Sequence, residues 1–190
     1  MSELFFKRLT VGVLGTCCYV LGLKDRDDCI VIDPGDEAAA IRTACEGRRI
    51  AAILLTHGHF DHIGAVDALR EDGTAVMIHQ ADEAYLNDTQ LNCSWLMGRT
   101  VAIRPADRLL ADGDTVEAAG LTLKVLHTPG HTPGGVCYQL EDLLFTGDTM
   151  FEVGYGRTDL PGGDEDTLFA SLRKVYPLSK THTIYPGHGS

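Results

Sequence analysis

Thr56-His57-Gly58-His59-Phe60-Asp61-His62 follows directly on the apolar run Ile50-Ala51-Ala52-Ile53-Leu54-Leu55. An unbroken apolar run of this length, closed by polar residues, reads as a buried strand. In the extended chain leaving it, alternate side chains lean to one side, with roughly 7 Å between their Cα atoms. His57, His59 and Asp61 have that spacing, so two imidazoles can converge on one cation. His62 breaks the alternation. With Ile63, Val66 and Leu69 at helical intervals, a helix is expected from about residue 62 to 70, turning His62 toward a different point, as a second cation would require. The chain has eight histidines, and the crowding of His57, His59 and His62 points to divalent-metal chemistry rather than an ordinary polar loop.

Composition narrows the classes. One domain spanning residues 1–190 is expected from the length, and 44% hydrophobic with 23% charged residues is ordinary for a globular chain. A net charge of −11 without a basic stripe argues against a nucleic-acid partner, and bound cations would offset part of it. Met1–Arg8 lacks the pattern of a secretory signal, and no run approaches the ~18 apolar residues of a membrane span. A soluble, cytoplasmic protein with no membrane partner is expected. The six cysteines show no C-x-x-C spacing and read as buried, reduced thiols, with no local signature of a nucleophile.

Strand-like runs occur at 4–9, 18–23 and 29–33, the last closed by the turn Asp33-Pro34-Gly35-Asp36. Ala38, Ile41 and Cys45 share a helical face, with Asp36 and Glu37 in its opening turn. Strands at 50–56, 75–78, 115–118, 121–127, 135–140, 143–146 and 183–185 follow. A helix at 164–176 has Leu168, Leu172 and Val175 on one face, acids in its first turn and Arg173 and Lys174 in its last. Strands and helices interleave without strict alternation, which suits two packed mixed sheets with helices outside.

Three further segments end strand-like runs with a ligand-grade side chain set among Pro and Gly: Pro129-Gly130-His131, Thr146-Gly147-Asp148 and Pro186-Gly187-His188. Proline fixes the backbone and glycine permits close approach, which is how a scaffold holds a ligand at one spot. With His57, His59, Asp61 and His62 they supply seven ligands, enough for two ions and a bridging group.

On these motifs the chain resembles the metallo-β-lactamase-fold superfamily, most closely its small glyoxalase II-like thioester hydrolases; Asp33-Pro34-Gly35 matches the early turn, and the likeness runs nearly end to end. The resemblance implies an α/β fold, a four-layer αββα sandwich of two mixed β-sheets with outer helices. It assigns His57, His59 and His131 to one ion, Asp61, His62 and His188 to a second, and Asp148 as the bridge. The ions would be two divalent metals, Zn foremost, with Fe or Mn compatible with the donors. The implied reaction is attack of a metal-bridging hydroxide on a small acyl thioester, such as a 2-hydroxyacyl-thiol conjugate, with Asp61 also moving a proton. Glyoxalase II enzymes carry a further helical domain that helps grip glutathione, and the sequence given stops at Ser190, which tells against glutathione as the carrier. The second site also differs from that of the lactamases proper, so antibiotic hydrolysis is not expected.

Other residues carry two readings each. In Gly154-Tyr155-Gly156-Arg157-Thr158-Asp159, a loop expected to overhang the site, Tyr155 and Arg157 are candidates for substrate binding, or Arg157 pairs with Asp159 as structure. Asp33 either orients a ligand histidine or caps a helix. The segment 87–99 is either a lid or a surface loop anchored by Trp95. His127 falls on an apolar strand face, and His79 has no supporting context. Two rival functions stand beside the hydrolase. One is a persulfide dioxygenase using His57, His131 and Asp148 around a single Fe(II); the other is a metal-stabilised binding module without turnover.

Overall fold

The computed structural model describes residues 2–189. Strands β1 (Leu4–Val11), β2 (Thr16–Leu23), β3 (Asp28–Ile32), β4 (Arg49–Leu54), β5 (Ala75–His79) and β6 (Arg108–Leu110) form one sheet in chain order. Its first three strands are antiparallel, and β3 to β6 run parallel. The second sheet runs β11-β10-β9-β8-β7, from β7 (Thr115–Ala118), β8 (Leu121–His127), β9 (Val136–Leu140), β10 (Leu143–Gly147) and β11 (Thr183–Pro186). Only the β10–β11 pair in it is parallel. The expected strands are all present to within a few residues; β6, three residues long, has too little pattern to be read from sequence.

Alternation of side chains divides the core into three layers of contact. Cys18 and Val20 of β2, with Cys29 and Val31 of β3, face Ile41, Ile63, Val66 and Leu69 of the helices on that side. Their sequence neighbours Tyr19, Leu21, Ile30 and Ile32 face Leu123, Val125, Tyr138 and Phe145 of the other sheet. Cys137 and Leu144 of the second sheet then meet Val175 and Leu172. Helices, sheet, sheet and helix make four layers, and strands buried on both faces explain why β2 to β4 read as continuous apolar runs.

The helices are α1 (Ala38–Ala44), α2 (Phe60–Ile63), α3 (Val66–Leu69) and α4 (Glu165–Val175). In α4, Asp164 caps the first turn by accepting from the Thr167 amide at 2.8 Å, and Arg173 and Lys174 occupy the last turn. The helix expected over 62–70 is instead two short ones that begin at Phe60. Gly64 breaks it by packing against the Gly35 carbonyl, where a side chain would collide, and the Ala65 amide donates to Pro34 at 2.9 Å. Asp61 therefore lies inside α2, and its expected alternation with His57 and His59 does not occur.

The loops after β3, β4, β10 and β11 and the loop before β9 are tied across the two sheets. The Val136 amide donates to Thr56 at 2.8 Å, the Cys17 amide to Gly187 at 2.7 Å, and the Gly187 amide to Gly147 at 2.8 Å. The Tyr138 hydroxyl bonds the Leu55 carbonyl at 2.7 Å, and Tyr19 bonds that of Pro186 at 2.6 Å. One sheet edge thus gathers every loop carrying a ligand-grade residue. All six cysteines are free and buried, as expected. Among the described residues no helix is long and apolar enough to cross a membrane.

Candidate metal centre

His57, His59 and His131 bring one ring nitrogen each within 4.8 Å of one another; so do Asp61, His62 and His188 with their donor atoms, and so do His57, His62 and Asp148. All seven sequence-predicted ligands therefore meet at one place. His59 Nδ1 lies 2.9 Å from His131 Nε2, and His62 Nε2 lies 3.3 Å from His188 Nε2. Asp61 Oδ2 is 3.2 Å from His188 Nε2. Asp148 touches both groups, at 3.5 Å from His62 through Oδ1 and 3.5 Å from each of His131 and His188 through Oδ2.

The outer hydrogen bonds fix the tautomers. His62 Nδ1 donates to Asp33 Oδ2 at 3.0 Å, His131 Nδ1 to the Arg157 carbonyl at 2.7 Å, and His188 Nδ1 to the Leu14 carbonyl at 3.1 Å. Thr56 Oγ1 donates to Asp33 Oδ2 at 2.6 Å, so it accepts from His57 Nδ1 at 3.1 Å. Four Nε2 atoms are thereby turned inward. Asp33 also takes the Thr56 amide at 2.8 Å, which selects the orienting role over the capping one. A second such residue, Asp82, is not legible in the sequence. It is fully buried and accepts from the Gly58 amide at 3.0 Å, Thr132 Oγ1 at 2.8 Å and the Gly134 amide at 2.5 Å. It clamps the His57–His59 loop to the His131 loop. Its sequence surroundings, Gln80-Ala81-Asp82-Glu83, read as an ordinary exposed acidic turn.

Three buried polar atoms in the cluster lack any hydrogen-bond partner among the described residues: His57 Nε2, His59 Nε2 and Asp148 Oδ1. Orphaned buried donors or acceptors each cost about 1–3 kcal/mol, and cations would relieve those on His57 and Asp148, whereas His59 faces the cluster through Nδ1. The donor set, imidazole and carboxylate without thiolate, fits Zn, Fe or Mn. Charge divides the cluster. Burial, reinforced by the neighbouring histidines, holds the pKa of His57 well below the ordinary value and that of His59 at about 3. Burial acts the same way on His62, but Asp61, Asp148 and Asp33 outweigh it and raise its pKa to about 10. His188 is raised likewise by Asp61 and Asp148 against burial. Asp61 is held below the usual carboxylate range by His62 and His188, again in spite of burial.

A cleft of about 530 Å³ opens over the cluster, and Leu14, Leu96, Met97, Phe151, Tyr155 and Arg157 line it. The Arg157 guanidinium is held by Asp159 through two bonds of 2.6 and 2.7 Å, so the structural pair is the arrangement found. It is the backbone carbonyl of Arg157 that reaches the cluster, a role no side-chain pattern announces. Trp95 is 50% exposed and does not anchor its loop; Asn92 does, donating through Nδ2 to the Tyr85 and Val101 carbonyls at 2.9 and 2.8 Å. His79 is buried and stacks on His127, ring centroids 3.9 Å apart, away from the cluster.

The family model described as "Metallo-beta-lactamase superfamily" matches residues 11–188. A probable metallo-hydrolase YqgX of Bacillus subtilis is 39% identical, over 97% of this chain and 90% of its own length. Hydroxyacylglutathione hydrolase GloC of Haemophilus influenzae is 34% identical over 87% and 82%. Among solved structures, BLEG-1 B3 metallo-beta-lactamase superposes with a TM-score of 0.90 at 41% identity, covering 98% of this chain and 92% of that one. TTHA1623 in a di-iron-bound form superposes at 0.84 with 34% identity, covering 97% and 92%.

Proposed function

The chain belongs to the metallo-β-lactamase superfamily, and from its site we propose that it is a binuclear metal-dependent hydrolase of an acyl thioester, a 2-hydroxyacyl thioester being the form expected from the sequence. One observation carries this reading: five histidines and two aspartates converge, with buried atoms of His57 and Asp148 that none of the described residues satisfies. His57, His59 and His131 would hold one ion and Asp61, His62 and His188 the other, with Asp148 shared. Two cations bound there would supply water acidified to near neutral pH and positive charge beside a carbonyl oxygen.

The protein's own groups do the rest. Asp33, Thr56, Arg157 and Leu14 set the ring planes, so the donors need no reorganisation on binding. Asp61 Oδ2 accepts from Thr16 Oγ1 at 3.0 Å and is held ionised, which suits it to hold a cation and leaves proton transfer as its lesser role. A thiolate leaving group needs no general acid. Leu96, Met97 and Phe151 form apolar walls that shed water from the scissile bond.

The test is metal analysis of the purified protein together with a thioester hydrolysis screen. About two ions per chain and turnover of thioesters are expected. The likeness to BLEG-1 B3 metallo-beta-lactamase gives a second reading, hydrolysis of a β-lactam amide by the same groups, and nitrocefin is the probe for it. A single iron with oxygen consumed on a persulfide would replace both by the dioxygenase. Metal-loaded protein inert to all three substrates would leave a binding module.

A further inference from the structure

Two cavities meet at Phe151 and Tyr155. One is the cleft over the histidine cluster; the other is a groove of about 650 Å³ between the 150–155 loop and α4. Each lies in the size range of small-molecule sites. The Tyr155 and Phe169 rings meet edge-on with centroids 5.3 Å apart, tying loop to helix at the junction. Beyond it the groove is walled by Met150, Leu172, Tyr176 and Pro177.

Charge says what these cavities receive. Apart from the seven candidate ligands, the cleft lining has one charged side chain, Arg157, already neutralised by both carboxylate oxygens of Asp159. The groove has one charge of each sign, Glu152 and Arg173, both exposed. Outside the ligand cluster the two linings therefore add no net positive charge for a carboxylate, a further cation, Lys180, lying over the Tyr176 ring at 5.6 Å, and the net charge of −11, which bound cations would offset only in part, repels anions at long range. Apolar surface is left open instead: Leu96 and Met97 at the cleft are 50% and 46% exposed, and Tyr176 in the groove 61%. Open apolar surface at two adjoining cavities marks a place for a ligand.

We propose that the groove between the 150–155 loop and α4 holds an extended, uncharged apolar arm of the substrate whose scissile bond lies over the histidine cluster. The inference rests on the thioester reading above and names the class of thioester: an apolar chain on one side of the bond, in place of a multiply charged peptide conjugate. The same groove serves a chain on the acyl side or on the thiol side, and the experiment separates the two.

Metal-loaded protein is assayed on straight-chain acyl thioesters of N-acetylcysteamine, on lactoyl thioesters of straight alkyl thiols, and on S-lactoylglutathione. In the series whose chain enters the groove, kcat/KM is expected to rise about three- to fourfold per methylene. S-lactoylglutathione is expected to fall about tenfold or more below the best alkyl substrate. Tyr176→Glu, at an exposed position, and Phe169→Ala are each expected to flatten the rise. Flat responses in both series, or a preference for S-lactoylglutathione that Arg173→Gln weakens, would overturn the proposal. If no thioester is turned over, the reaction assigned above fails, and the groove is judged by calorimetry with the octyl and ethyl thioethers of N-acetylcysteamine. Tighter octyl binding that Tyr176→Glu removes upholds the groove; equal or absent binding ends it.

Discussion

The two halves of the cluster are built from different donors, although they lie side by side. His57, His59 and His131 are all imidazole, and burial keeps His57 and His59 unprotonated well below neutrality. Asp61, His62 and His188 mix imidazole with carboxylate, and there the acids raise both histidines. In the first trio His57 and His59 wait with lone pairs ready; in the second, protons on His62 and His188 satisfy the carboxylates, and a cation must displace them. Each rests on a buried acid beneath it, Asp82 under the loops of the first and Asp33 under His62 of the second. Similar ligands can thus be made ready in opposite ways by their surroundings, and the difference should be visible in metal binding.

Removing what the trios share tests the comparison most severely. Asp148→Ala is expected to lower bound metal below two per chain and turnover by at least about a thousandfold. Elemental analysis and steady-state rates check this, and unchanged values would remove Asp148 as the bridge. Asp82→Ala strips three buried donors of their acceptor and should cost about 3 kcal/mol of stability in urea unfolding, with occupancy of the all-imidazole trio falling first. A loss of stability under 1 kcal/mol would mean the clamp is dispensable.

Asp33→Asn keeps a residue that tolerates the positive φ of 51° at this position. It removes the charge from the acceptor of His62 and should weaken the acid-rich site about 10- to 100-fold while sparing the other. Competition against a chromophoric chelator separates the two affinities; an equal loss at both would erase the distinction drawn here. The smallest effect is on pH. A histidine whose pKa is raised to about 10 is protonated throughout the neutral range, so filling the acid-rich trio must release its proton, and affinity there should rise up to about tenfold per pH unit below that value. His57 and His59, already unprotonated, should release none. Calorimetry in buffers of different ionisation heat reads the protons, and equal release from both events would contradict the assignment.

Much of this was legible in residues 50–62. The apolar run identified β4, histidine spacing identified candidate ligands, and Pro-Gly pairs marked the loops that deliver His131 and His188. What escaped were features whose partners lie far along the chain. Asp82 looks like any acid in a turn until Gly58 and Gly134 are brought to it, 24 and 52 residues away in sequence. Gly64 looks compatible with a continuous helix until the Gly35 carbonyl packs against it. Arg157 was read for its guanidinium, whereas its carbonyl is what meets His131.

By itself the sequence determined which side chains are able to bind cations and which strands are buried, because donor chemistry and hydrophobic period are local properties. Tertiary structure alone decided which buried acids orient the donors, which way their pKa values move, and that an apolar groove adjoins them. Those depend on burial and on fields from residues distant in the chain, and a linear pattern has no measure of either.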